Sequence, residues 1–145
     1  MGATNSQNKP NVLQTDYDQS KLVLGGNRFE NVSFTASGAD VVLTRGMVIG
    51  KISATQKGKV LASASTDGSQ TPFGIVPENI TIADGETQDV SVIVAGDVNK
   101  GLVTLAGSDT FATAIDGRSI EDRILADTLG IKLVETDELS ALDNS

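Results

Sequence analysis

The chain contains no cysteine, no histidine and no tryptophan, and it has one tyrosine and four phenylalanines. Each absence removes a class of chemistry. Without cysteine there are no disulfides, no thiolate nucleophile and no cysteine-ligated metal, and the redox compartment cannot be read. Without histidine the chain lacks the side chain best suited to proton transfer near neutrality, and with it the Ser-His and Cys-His nucleophile arrangements. Aromatics are 3% of residues against 39% hydrophobics, so the core must be aliphatic. Sugar sites usually stack aromatic rings on their ligand, and this chain has few to offer. Positive charge is also scarce. Eleven Lys and Arg stand against nineteen Asp and Glu, a formal charge of −8, with the cations scattered. Nucleic-acid binders draw their non-specific affinity from cations on phosphates, and anionic membranes attract cations likewise. Neither partner is expected. No apolar run approaches the roughly 20 residues of a membrane helix. The segment MGATNSQNKP carries no hydrophobic signal region, so no secretion signal of the usual form is expected.

At 145 residues one domain is expected, with a flexible extension. A compact chain of this size buries roughly two-thirds of its unfolded surface, enough for a core without staples. Residues 1–20, MGATNSQNKPNVLQTDYDQS, are too polar to offset an ordering cost of about 1–2 kcal/mol per residue. They read as a flexible arm. Val12, Leu13 and Tyr17 are not the choice of a pure solubility tail, which suggests an arm that orders on a partner.

From Lys21 the pattern becomes short strands between turn signals. Strands are predicted at 21–24, 29–35, 41–43, 47–52, 59–62, 74–76, 90–95, 102–105 and 131–134. Turns are predicted at GGN 25–27, ASGAD 36–40, QKGK 56–59, TDGS 66–69 and ADGE 83–86. The fold class is mainly β with one short helix, a small antiparallel sandwich or barrel-like domain over 21–145. SIEDRILADTLG predicts the helix, about 119–129. Ser119 and Asp122 resemble a capping box, Ile120, Ile124, Leu125 and Leu129 line one face, and Gly130 sits at the C-terminal cap.

Motifs with chemistry fail on inspection. GMVIGKI at 46–52 has three residues between its glycines where a phosphate loop needs four, and Ile52 replaces the metal-binding hydroxyl. Asp84, Glu86 and Asp89, or Asp16 and Asp18, do not follow the EF-hand ligand order. The sequons at Asn31 and Asn79 need a secretory route, and the Gly2/Ser6 myristoylation pattern precedes an acidic arm. No cofactor or metal is expected, and no enzyme activity.

TDGSQTPFGIVPEN, 66–79, holds two of the three prolines and a phenylalanine. A catalytic turn there lacks a nucleophile–base pair. As a corner, Asp67-Gly68 turns, Pro72 fixes an extended approach, Gly74 allows close passage and Phe73 plugs either the core or a subunit contact.

Read in order, VVLTRGMVIGKIS (41–53), ASASTDGSQTPFGIVPENI (62–80) and VSVIVAGDVNKGLV (90–103) resemble the lambda-type head decoration proteins of tailed phages. LGIKLVE (129–135) fits that family's closing strand. The resemblance implies a non-enzymatic protein on the outer surface of the capsid in the virion. It implies a homotrimer at threefold and quasi-threefold positions of an HK97-fold shell, cementing the major capsid protein against internal DNA pressure. The arm would contact the capsid through Val12, Leu13, Tyr17, Leu22 and Leu24. Pro72, Phe73, Gly74 and Ile75 would form the family's signature turn, with a possible subunit contact. The alternatives are a cell-surface, adhesin-type β module binding protein or glycan, which would call for a signal or anchor, and a small hydrolase built on Asp, Glu, Ser and Lys.

Overall fold

The computed structural model describes residues 21–135. Ten strands and one α-helix follow in chain order among them: β1 (Val23–Thr35), β2 (Val41–Leu43), β3 (Val48–Lys51), β4 (Gly58–Val60), β5 (Pro72–Ile75), β6 (Ile80–Ile82), β7 (Thr87–Asn99), β8 (Ala114–Ile115), β9 (Arg118–Ser119), α1 (Ile120–Asp127) and β10 (Ile131–Val134). A 3-10 turn, Lys100–Leu102, follows β7.

The long strand β7 organises the molecule. Val90, Val92 and Val94 alternate with Asp89, Ser91 and Ile93, the period of a strand with distinct faces. The three valines enter one buried cluster, with Val32, Phe34, Leu43, Ile49 and Ile82. Ile93 enters the other, with Ile75, Ile115, Ile120, Ile124 and Ile131. The sheet is therefore covered on both faces, by the antiparallel β2–β6 ribbon on one and by α1 with the β8–β9 hairpin on the other. Each fully buried aliphatic side chain contributes about 1.5–3 kcal/mol. Two aliphatic layers thus replace the aromatic core that the composition denies.

The main sheet runs β10-β7-β5-β3-β4, with β1 also on β7. β1 pairs antiparallel with β7 from Val23↔Val98 to Thr35↔Thr87. The closing strand β10 falls at 131–134 as predicted, but it joins β7 in parallel, Ile131↔Gly96 to Val134↔Asn99.

Three local expectations change. GGN at 25–27 is a bulge within one long strand. Asn27 makes it stable, because its amide donates to the carbonyls of Ala95 and Asp97 at 3.3 and 3.0 Å, and its Oδ1 accepts from the Gly25 amide at 3.0 Å. Residues 102–105 form no strand, only an isolated bridge of Thr104 to Met47 after the 3-10 turn. The helix is Ile120–Asp127, capped by Ser119 accepting from the Asp122 amide as the sequence indicates. Its buried face is narrower than predicted. Ile120 and Ile124, one turn apart, are fully buried, while Leu125 and Leu129 are each 57% exposed. Leu125 lies about 100° round the helix from Ile124, off the stripe that meets the sheet.

Candidate functional site

The signature segment builds a braced corner. Asp67 Oδ1 accepts from the amide and hydroxyl of Ser69 at 3.0 and 2.6 Å, and its Oδ2 receives the Lys59 ammonium at 3.0 Å. These donors, the Ser69 hydroxyl foremost, hold the Asp67 carboxyl well below its ordinary value of 3.8. Ser69 itself is fully buried. Beneath it runs β3, where a Cβ at Gly50 would lie 2.4 Å from the Ser69 carbonyl oxygen and 2.7 Å from that of Thr71. The glycine that imitates a phosphate loop is therefore a packing glycine.

The chain then enters β5. Pro72, Gly74 and Ile75 are buried, and Ile75 is opposite Ile93 of β7. A Cβ at Gly74 would lie 2.7 Å from the Ile93 carbonyl oxygen and 2.9 Å from a Val92 methyl. The close passage expected there is observed. Phe73 is half-buried, packed against the β2–β6 side of the core. The Lys51 ammonium stands 4.6 Å from its ring centroid, a cation–π contact.

Arg123 ties this corner to the helix. Its guanidinium donates to Asp127 at 2.8 Å, to the Ile115 carbonyl at 3.0 Å and to the Thr71 hydroxyl at 3.5 Å. With its side chain only 14% exposed, one residue joins α1, the hairpin and the signature loop. Its pairing with Asp127 raises its affinity for the proton further. Lys100 plays a similar part below β7. It bridges Glu121 and Glu135 at 2.9 and 3.2 Å and lies 5.1 Å from the Phe111 ring centroid. The hydrogen bond to Glu121 is the main cause raising its pKa above 10.5. The Arg123–Asp127 spacing is visible in the sequence, but the contacts with Thr71 and Ile115 join distant parts of the chain.

Of the residues singled out, Val12, Leu13 and Tyr17 lie outside the described residues. Leu22 is in the core, 2% exposed, and its carbonyl accepts from the Asn99 amide at 2.8 Å. Leu24 is half-buried at the start of β1. The structure brings Pro72, Phe73, Gly74 and Ile75 together on β5 and leaves Leu22 and Leu24 at the far end of β7. Among the described residues no three Asp or Glu side chains converge as a metal site would require. Asp67, Lys59, Ser69 and Arg123 instead brace the loops around β5.

Among known families, the model described as bacteriophage lambda head decoration protein D matches residues 17–118, most of the chain. No curated protein matches it.

Proposed function

The chain belongs to the bacteriophage lambda head decoration protein D family, a family of structural proteins on the outside of the phage capsid, and from that premise we propose that it cements the shell of its own phage. It binds the outer surface of an HK97-fold shell as a homotrimer at threefold and quasi-threefold positions and strengthens the head against internal DNA pressure. The family match over residues 17–118 carries this reading. The arm reaches the major capsid protein through Val12, Leu13 and Tyr17, with Leu24 at its base. Leu22, buried against Asn99, supports the arm by anchoring its root in the core. An extended arm gains affinity by adding a strand to a sheet edge, and three arms on one trimer bind multivalently. Phe73 stays available at its half-exposed ring for a contact between subunits. The charge of −8 per chain opposes non-specific association and adsorption of nucleic acid.

The test is to add the protein to expanded, undecorated capsids of its own phage. Saturable binding and increased resistance to heat or chelators are expected. Deleting residues 1–20 should remove binding. An absence of saturable binding by the full chain refutes the proposal, and normal binding by the truncated chain refutes the part given to the arm.

A further inference from the structure

The sheet curls until β1 approaches β4, but no ladder joins them among the described residues. β1 pairs with β7 and β4 with β3. The contact is made by side chains: the Phe34 ring lies over Gly58, and the Lys57 ammonium donates to the Thr35 hydroxyl at 2.5 Å. Beside this seam runs an open groove of about 590 Å³. Its lining is mostly apolar, including Phe34, Val41, Ile52, Val60 and Ala62, and it also contains Lys59 and Asp40. An apolar floor between two strands that pair on only one edge each among the described residues suits an extended peptide.

We propose that, in the free protein, this groove holds residues 12–17 from the arm of a second copy of the chain. In an extended NVLQTDY segment, 11–17, Leu13, Thr15 and Tyr17 share one face and would meet the floor. Charges match as well. Lys9 precedes the segment and Asp16 and Asp18 flank Tyr17, against Asp40 and Lys59 of the groove lining, the latter already paired with Asp67 at 3.0 Å.

Reach decides whose segment it is. Leu22 lies beside Asn99 at one end of β7, and Thr35 opposite Thr87 at the other. Twelve residue steps separate those ends by about 40 Å along the strand, somewhat less with bulge and twist. Tyr17 lies within about 17 Å of its own Leu22 even when fully extended. A chain cannot seat both Tyr17 and Leu13 in its own groove. The residues after β10 start from the same far end beside Asn99, and Leu139 and Leu142 reach only about 17 and 27 Å from Val134. A neighbouring copy has no such limit, and successive exchange among copies closes a ring. Docking would cover the apolar arm residues until a shell competes for them.

The chain has no cysteine, so a crosslink reports cleanly. Full-length Tyr17→Cys and Ala62→Cys variants are mixed without capsids and oxidised. The mixed disulfide should form at least tenfold faster than that between Tyr17→Cys and the exposed control Glu78→Cys, and Val60→Glu in the Ala62→Cys chain should abolish the excess. If Val60→Glu unfolds the chain, Ala39→Glu at the groove margin serves instead. The double variant Tyr17→Cys/Ala62→Cys should give linked multimers. A rate equal to the control, a disulfide confined within one chain, or crosslinking only when capsids are present would each overturn the proposal. Capsid binding is a separate readout: a chain that crosslinks but binds no shell refutes the proposed function and leaves this assignment standing.

Discussion

Gly74→Ala sets two opposed effects against each other, and the structure decides the sign. At an unstrained position, replacing glycine by alanine stabilises by about 0.4–1 kcal/mol through the unfolded chain. The new methyl here would lie 2.7 Å from the Ile93 carbonyl oxygen and 2.9 Å from a Val92 methyl, distances that real Cβ atoms essentially never show. Neither neighbour gives way easily. Ile93 pairs with Phe29 on one edge and Ile75 on the other, so its carbonyl moves only with two strands. Val92 is fully buried among its own cluster. Overpacking of this kind costs about 1–3 kcal/mol, and more when backbone must move. The upper range applies because one of the two clashes is with backbone, leaving a net loss of about 2 kcal/mol. Urea unfolding of the full chain, followed by circular dichroism, should show a lower midpoint with an unchanged slope. In a thermal scan about 2 kcal/mol lowers Tm by roughly 4–8 °C at this size. Gly50→Ala should be worse, since both of its clashes are with backbone oxygens, at 2.4 and 2.7 Å. A Gly74→Ala protein as stable as its parent, or more so, would refute the claim that β5 and β7 pack too closely for a side chain.

Three further outcomes follow from the braces at that corner and below β7. Arg123→Met leaves the Ile115 carbonyl and Asp127 without their guanidinium partner and should cost about 1–3 kcal/mol, with faster amide exchange in α1 as the local check. Asp67 has a depressed folded pKa, so its stabilisation is present above 3.8 and is lost as pH falls below it; Asp67→Asn should flatten acid unfolding in that window and lower stability at neutral pH. Lys100 has a raised folded pKa, so its contribution is complete below about 10.5 and is lost as pH rises through its folded value; Lys100→Met should be least distinguishable from the parent at the most alkaline pH, measured by urea midpoints.

What was legible in the sequence was what local chemistry specifies. The cap at Ser119 needs only its own hydroxyl and the amide three residues on, and the alternation around Val90–Val94 needs only period 2. The family itself was recognisable from short segments in order, above all TDGSQTPFGIVPEN. What was hidden depends on distant partners. GGN reads as a turn because nothing nearby reveals that Asn27 will bond to Ala95 and Asp97. Residues 102–105 are as apolar as a strand, yet they have only Met47 to pair with. Leu125 and Leu129 fit a helical stripe, but only Ile120 and Ile124 face the core, and the two leucines stay exposed. Nothing in the helix sequence reveals the reach of Arg123, because its partners Ile115 and Thr71 lie on other elements.

The long pairing of β1 with β7 also has a mechanical meaning. The arm's root at Leu22 continues directly into β1, whose ten register pairs with β7 run along one axis. A pull on the root along that axis loads these pairs together, in shear, whereas a pull across the sheet would peel them apart one after another. Strands sheared along their length resist force far better than strands unzipped from an end. On the proposed function, tension passed from a shell through the arm to Leu22 would load the β1–β7 pairs in that shear direction.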